Sequence, residues 1–287
     1  MGKIFEALNK NGMADEILRD LVPIADSPLV SGNVALPPVP ETVIHPTVSE
    51  GSTDEAAGPY RVVSLQVSLA SPVLPFEDVS RASEQYRMLR TKIIQHPRFP
   101  RTIVISSPLP RDGKSITAVN LAGALSLKGD ARVLLVDGDF RHPAIWRQLG
   151  LDETPGLGEV LESRASLEDA IVQATEYPNL FILPAGKPDL NPTELLDSGA
   201  FNTIIGQLKR AFKYLIIDSP PIASVADYDL ISAVCDGVIL VIRPDHTNRE
   251  ACKKALDSIP KEKSLGVVMN CVQDWFLNRS HGYEGYY

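Results

Sequence analysis

Residues 101–122 read RTIVISSPLPRDGKSITAVNLA. An apolar run of strand length, 102–106, meets a turn, and an apolar helix opens at 114. Gly113-Lys114-Ser115 at such a turn is the chemical half of a phosphate loop. Backbone N–H groups and the helix N-terminus face an anion, the lysine reaches the β and γ phosphates, and the serine hydroxyl can bind Mg²⁺. The strict spacing G-x-x-x-x-G-K-[ST] is not met, because Pro108 occupies the first glycine position.

Outward from this stretch, five more apolar runs have strand length: 132–136, 180–183, 214–217, 237–242 and 266–270. Helical patterns cover 79–96, 114–128, 158–163, 167–174, 193–210, 225–234 and 249–258. Near-continuous Val/Ile/Leu strands alternating with helices predict a mostly parallel sheet covered on both faces. The fold class is therefore a doubly wound α/β domain, with its ligand at the carboxyl ends of the strands.

Two of those ends carry acids. The run 132–136 passes into Asp137-Gly138-Asp139-Phe140-Arg141. Two carboxylates side by side near a phosphate loop are costly unless they bind a cation or a proton donor. The run 214–217 ends in Asp218, followed by Pro220-Pro221, which fits a carboxylate that holds Mg²⁺ directly or through water.

The chain has 287 residues, 44% hydrophobic and 22% charged, so wholesale disorder is excluded. A net charge of −8 argues against general nucleic-acid binding. The acid excess concentrates in residues 22–78, where seven acids face Arg61 alone and nine of the 23 prolines lie. That stretch reads as a disordered Pro/Ser-rich acidic linker. It separates a short amphipathic helix over 1–21, carrying Ile4, Phe5 and Leu8, from a domain over 79–275 and a tail over 276–287. Cys235, Cys252 and Cys271 form no CxxC and read as reduced thiols of a cytoplasmic protein. No signal peptide, spanning segment or myristoylation signal is legible.

Two further patterns have bland readings. Glu84, Arg87 and Arg90 lie at i, i+3 and i+6 of the first domain helix, an arrangement common on a solvated ion-pair face. Tyr283, Tyr286 and Tyr287, three of the eight tyrosines, stand among glycines in a tail that reads as mobile.

Taken together, the altered phosphate loop with NLA (120–122), DGDFR (137–141), GLGEVL (156–161), LPAGKPDLNPTELLDS (183–198), IIDSPP (216–221), Asp227, DGVILVIR (236–243) and GVVMN (266–270) resemble the bacterial tyrosine kinases of capsular and exopolysaccharide biosynthesis, of the stand-alone CpsD/CapB type. The opening MGKIFEAL is similar as well. The resemblance implies a P-loop NTPase fold of the MinD/ParA-like type and ATP- and Mg²⁺-dependent phosphorylation of the chain's own C-terminal tyrosines, Tyr283, Tyr286 and Tyr287. It implies that the loop Pro110, Arg111, Asp112, Gly113, Lys114, Ser115 and Ile116 binds nucleotide, and that Ser115, Asp139 and Asp218 hold the metal. Asp137 and Asp139 divide metal and proton work, with Asp137 favoured as acceptor of the tyrosine proton. Arg141 steadies phosphate charge, and Asn270 reads the base.

The same resemblance makes Glu84, Arg87 and Arg90 a ring-forming motif, and the closed ring an octamer. It implies a separate membrane polysaccharide co-polymerase that recruits the kinase to the inner face of the plasma membrane, and a resetting tyrosine phosphatase, with no nucleic acid involved. One departure stands out. Family loops carry small residues or glycine where this chain has Arg111 and Asp112, so two bulky opposite charges are expected beside the phosphates. The competing functions are a MinD/ParA-type ATPase, whose signature lysine position holds Leu109 here, and a catalytically weak nucleotide-binding scaffold of an export complex.

Overall fold

The computed structural model describes residues 60–67, 80–129, 131–151, 155–222 and 226–272. The expected helix over 1–21, most of the linker and the tail with its three tyrosines lie outside the described residues. In chain order the elements are β1 (Arg61–Val63), α1 (Arg81–Ile94), β2 (Thr102–Ser106), α2 (Lys114–Ser126), β3 (Val133–Asp137), α3 (Ile145–Gln148), α4 (Leu157–Leu161), α5 (Leu167–Ala170) and β4 (Val172–Ala174). They continue with β5 (Leu180–Leu183), α6 (Pro192–Asp197), α7 (Gly199–Ala211), β6 (Tyr214–Asp218), α8 (Asp227–Ala233), β7 (Gly237–Ile242), α9 (Arg249–Ser258) and β8 (Ser264–Met269).

The strands form one sheet in the order β1-β4-β5-β3-β6-β2-β7-β8. Every pairing is parallel except β4 with β5. Successive side chains of a strand point to opposite faces, and the two cores divide accordingly. Val104, Val136, Ile217 and Leu240 pack under α4, α6, α7 and α8, whereas Ile103, Ile105, Leu135, Ile216 and Ile239 pack under α2 and α3. Both faces are covered, which is why β2, β3 and β6 are buried end to end. Helix α7 shows the matching helical period: Phe201, Ile204, Ile205 and Leu208 are buried, and such side chains contribute about 1.5–3 kcal/mol each.

Three expectations need correction. Part of the stretch read as linker is ordered: Tyr60–Val67 straps the sheet edge, with β1 parallel to β4. Its alternation supplies the reason, since Val63, Leu65 and Val67 pack on one core while Tyr60 packs on the other. Tyr60 meets Phe181 edge to face at 5.4 Å, and the Arg132 guanidinium lies 4.7–5.7 Å from the Tyr60, Phe181 and Phe212 rings. Gln66 donates its amide to the Leu149 carbonyl at 2.9 Å, and the Glu176 carboxylate accepts the Leu65 amide at 3.1 Å and the Ser64 hydroxyl.

The helix expected over 167–174 stops at Ala170, because buried, β-branched Ile171 and Val172 fit the pleat of β4 better than another helical turn. The helix expected over 193–210 is two, broken at Ser198. Its extended backbone (ψ 145°) and hydroxyl, bonded to the Leu195 carbonyl, end α6 and start α7.

Candidate active site

The loop between β2 and α2 lies at the carboxyl end of the sheet, beside β6 and β7. Gly113 caps α2 with φ +98°, and a Cβ there would sit 1.8 Å from Nδ2 of Asn270. Glycine is therefore required on both counts. Arg111 takes φ +67°, the same left-handed region, a conformation that is costly for a residue with a Cβ. From Gly113 on, the first amides of α2 have no intrahelical partner, and the helix dipole adds partial positive charge.

Lys114 leads the helix into a nest of acids. Its Nζ donates to Oδ2 of Asp139 at 2.8 Å and lies 3.6 Å from Oδ1 of Asp218, while its Oγ neighbour Ser115 is 3.4 Å away. Burial works to lower the Lys114 ammonium, but Asp218 and then Asp139 hold its pKa above the ordinary value. Gly138 lets the acidic loop approach β6: its amide donates to the Asp218 carbonyl at 2.8 Å, and a Cβ would meet that same oxygen at 2.8 Å.

Asp137 and Asp218 are Cα partners across β3 and β6, and both are buried. The Asp137 carboxylate accepts the amides of Asp139 at 3.2 Å, Ala144 at 3.0 Å and Ile145 at 3.1 Å. Burial, reinforced by Asp218, pushes its pKa up to about 7 against the opposing amides of Ile145 and Ala144. Burial also pushes Asp218 up, with the Lys114 ammonium opposing. Neither oxygen of Asp218 has a hydrogen-bond partner of ordinary geometry among the described residues. One ammonium thus faces three buried carboxylates, two of whose oxygens are orphaned, and this deficit of positive charge fits a cation. Among the described residues no three or more His, Cys, Asp or Glu side chains form a metal cage. Mg²⁺ is held by one or two carboxylates, a hydroxyl, waters and phosphates, and Asp139, Asp218 and Ser115 around Lys114 could supply the first two.

Three side chains expected at the nucleotide make contacts that the sequence did not disclose: Asp112, Arg141 and Asn270. Asp112 does not flank the phosphates. It is fully buried, and its carboxylate accepts the Thr247 hydroxyl at 2.7 Å, the His246 ring at 2.9 Å and the Leu109 amide at 3.0 Å. Arg111 and Pro110 are exposed, and Ile116 is half-buried. Arg141 is committed elsewhere: its Nε donates to Asp227 at 2.8 Å and its Nη2 to Thr193 at 3.0 Å, and Thr193 in turn donates to Asp227 at 2.6 Å. The hydrogen bond to Asp227 raises the Arg141 pKa. Asn270, expected at the base, braces the loop by donating Nδ2 to the Asp112 carbonyl at 3.0 Å.

The i, i+3, i+6 motif on α1 is also partly turned inward. Arg87 pairs with Glu84 at 3.2 Å, and Arg90 donates to the Ala124 carbonyl of α2 at 3.0 Å. Between them, Tyr86 docks on α2: burial raises its pKa, while hydrogen bonds with Asn120 and Thr117 oppose. Sequence reasoning missed His246 and Thr247, which carry no motif signal, and gave no role to Thr193 within the 183–198 motif; only their place in the fold reveals them. Among the described residues no helix is long and apolar enough to cross a membrane.

Known proteins are similar to this chain over the domain that carries the site. A family described as "AAA domain" matches residues 101–264. The tyrosine-protein kinase YwqD of Bacillus subtilis is 38% identical over 198 residues, covering 68% of this chain and 83% of that relative. The tyrosine-protein kinase CpsD of Streptococcus agalactiae is 34% identical over 197 residues, covering 68% and 85%. The crystal structure of the chimerical protein CapA2B2 superposes with a TM-score of 0.66 at 32% identity, covering 71% of this chain and 93% of the other.

Proposed function

This chain belongs to the bacterial tyrosine-protein kinases of the P-loop type, and from that premise we propose that it transfers the γ-phosphoryl group of ATP to Tyr283, Tyr286 and Tyr287 of its own C-terminal tail. The observation that carries this reading is the buried cluster of Lys114, Asp137, Asp139 and Asp218 at the mouth of the phosphate loop. The amides at the start of α2 and the Lys114 ammonium bind the β and γ phosphates. Ser115, Asp218 and Asp139 would hold Mg²⁺, which when bound neutralises charge on the phosphate oxygens.

As the tyrosine oxygen bonds to the γ-phosphorus, the bond to the β–γ bridging oxygen breaks and ADP leaves. The phenolic proton passes to Asp137. A carboxylate has about four lone-pair sites, and the three amides on Asp137 leave one for that proton. A pKa of about 7 matches a base working near neutrality. Arg141 serves by positioning: it ties the acidic loop to α8 and α6 through Asp227 and Thr193.

The proposal extends to assembly. A closed ring, octameric by resemblance, uses the α1 face of Glu84, Arg87 and Arg90, so that one subunit's tail reaches its neighbour's site. A separate membrane co-polymerase recruits and activates the kinase in the cytoplasm, a tyrosine phosphatase resets the tail, and the output is control of capsular or exopolysaccharide polymerisation and export. Mixing a Lys114→Met protein with an active one lacking 283–287 tests the core of this. Phosphate on the inactive partner's tail is expected; an unlabelled tail, under conditions that label wild type, contradicts transfer between subunits.

A further inference from the structure

Arg111 and Asp112 are the loop residues that depart most from small side chains, and Asp112 is the one whose side chain turns inward. A fully buried carboxylate is expensive unless its lone pairs are satisfied. Here three are. Oδ2 accepts the amide of Leu109 and closes the phosphate loop on itself, and Oδ1 accepts Thr247 and His246, which follow β7. Thr247 is itself aimed: its Oγ accepts the Arg243 amide at 3.1 Å, and its own amide donates to the Arg243 carbonyl at 2.7 Å, leaving the hydroxyl proton for Asp112. The Asp112 carbonyl accepts Asn270, whose own amide is bonded to Ile242 at 2.8 Å.

Hydrogen bonds from the ends of β7 and β8 thus converge on one residue that sits two positions before Lys114. The flanking Arg111 and Gly113 both have positive φ, a backbone that persists only where its surroundings over-determine it. We propose that Asp112 is a positioning residue: bolted to Thr247 and His246, it holds the phosphate loop in its ligand-ready shape before nucleotide arrives. The Asp112 carboxylate is thereby an internal anchor rather than a charge opposing the phosphates. Preorganisation of this kind acts on affinity, because the ordering cost is met before binding. Turnover at saturation depends instead on Lys114 and the acids, which the latch does not touch.

The inference rests on reading this loop as a nucleotide site, and the test separates the two. Thr247→Val removes the hydroxyl at nearly constant volume, and Thr247→Ser keeps it. ADP with Mg²⁺, titrated calorimetrically into the full chain, and ATP kinetics are the readouts. For Thr247→Val the dissociation constant of ADP and the KM for ATP are expected to rise about tenfold, the loss of roughly one charge-assisted hydrogen bond, with kcat within about twofold. Thr247→Ser is expected to stay within about twofold of wild type, and His246→Ala, at a half-exposed ring, to give a smaller rise. Thr247→Val added to Asp112→Ala is expected to be no worse than Asp112→Ala alone, since Asp112→Ala already removes the acceptor of the Thr247 hydroxyl.

Equal affinities for the valine and serine variants overturn the latch, and so does a valine variant that loses thermal stability while keeping its KM. Should Thr247→Val not fold, His246→Ala with an unchanged KM overturns it instead. A wild type that binds neither ADP nor ATP sinks the nucleotide reading itself, and the latch with it.

Discussion

Asp137 and Asp218 stand side by side at the ends of neighbouring strands, equally buried, and their surroundings are opposite. Three backbone amides close on Asp137. Among the described residues none closes on Asp218, and the counter-charge beside it is the Lys114 ammonium 3.6 Å away. The difference teaches how one acidic crevice divides its work. A saturated carboxylate organises the loop around it and can still take a proton, whereas an orphaned one is a socket for a cation that the fold itself does not supply. The same contrast recurs between Arg141, tied down by Asp227 and Thr193, and Arg111, left exposed at the loop tip.

The largest effect is expected from the residue both acids share. Lys114→Met should lower phosphotyrosine formation by about 10³-fold or more while the fold persists, because the ammonium is aimed at charge that develops on the transferred group. Circular dichroism beside the kinase assay checks both halves. The next effect separates the acids. Asp137→Ala strands three buried amides and should cost about 2–4 kcal/mol in denaturant unfolding. Asp218→Asn removes a buried charge that accepts no backbone amide and should leave stability within about 1 kcal/mol of wild type, or raise it, while activity falls. Equal destabilisation by the two would erase the distinction.

A smaller expectation sharpens it. Mg²⁺ with ADP should stabilise wild type and Asp137→Asn by about 2.7 kcal/mol at a hundredfold excess over the dissociation constant, read as a rise in thermal midpoint, but the Mg²⁺-dependent part should vanish in Asp218→Asn. Smallest is Arg111→Gly, which relieves a positive φ and should stabilise by about 1 kcal/mol or less, read as a modest rise in midpoint.

Much of this was legible in the chain. Runs rich in Val and Ile such as 102–106 and 237–242 announce strands buried on both faces, and the Gly113-Lys114-Ser115 turn marks where they present a ligand. What escaped depends on contacts between distant residues. Tyr60–Val67 is proline-flanked and acidic in its neighbourhood, and becomes a strap only because a sheet edge and an aromatic pair at Phe181 and Phe212 await it. Ile171 and Val172 continue a helical pattern locally, and only pairing with β5, Val172 opposite Ile182, makes a strand begin at Val172. Asp112 looked like a charge beside phosphates, since nothing local discloses a hydroxyl 135 residues away. Arg90 was read as a docking side chain, and it spends a hydrogen bond holding α1 on α2.

The central claim is that this crevice moves phosphate to tyrosine rather than to water. Purified full-length protein incubated with labelled ATP and Mg²⁺, then treated with acid and mapped by mass spectrometry, tests it most directly. Acid-stable phosphate on Tyr283, Tyr286 or Tyr287 in wild type and its absence in Lys114→Met is the expected result. Steady release of inorganic phosphate with no phosphotyrosine anywhere in the chain would contradict the account and leave an ATPase in its place.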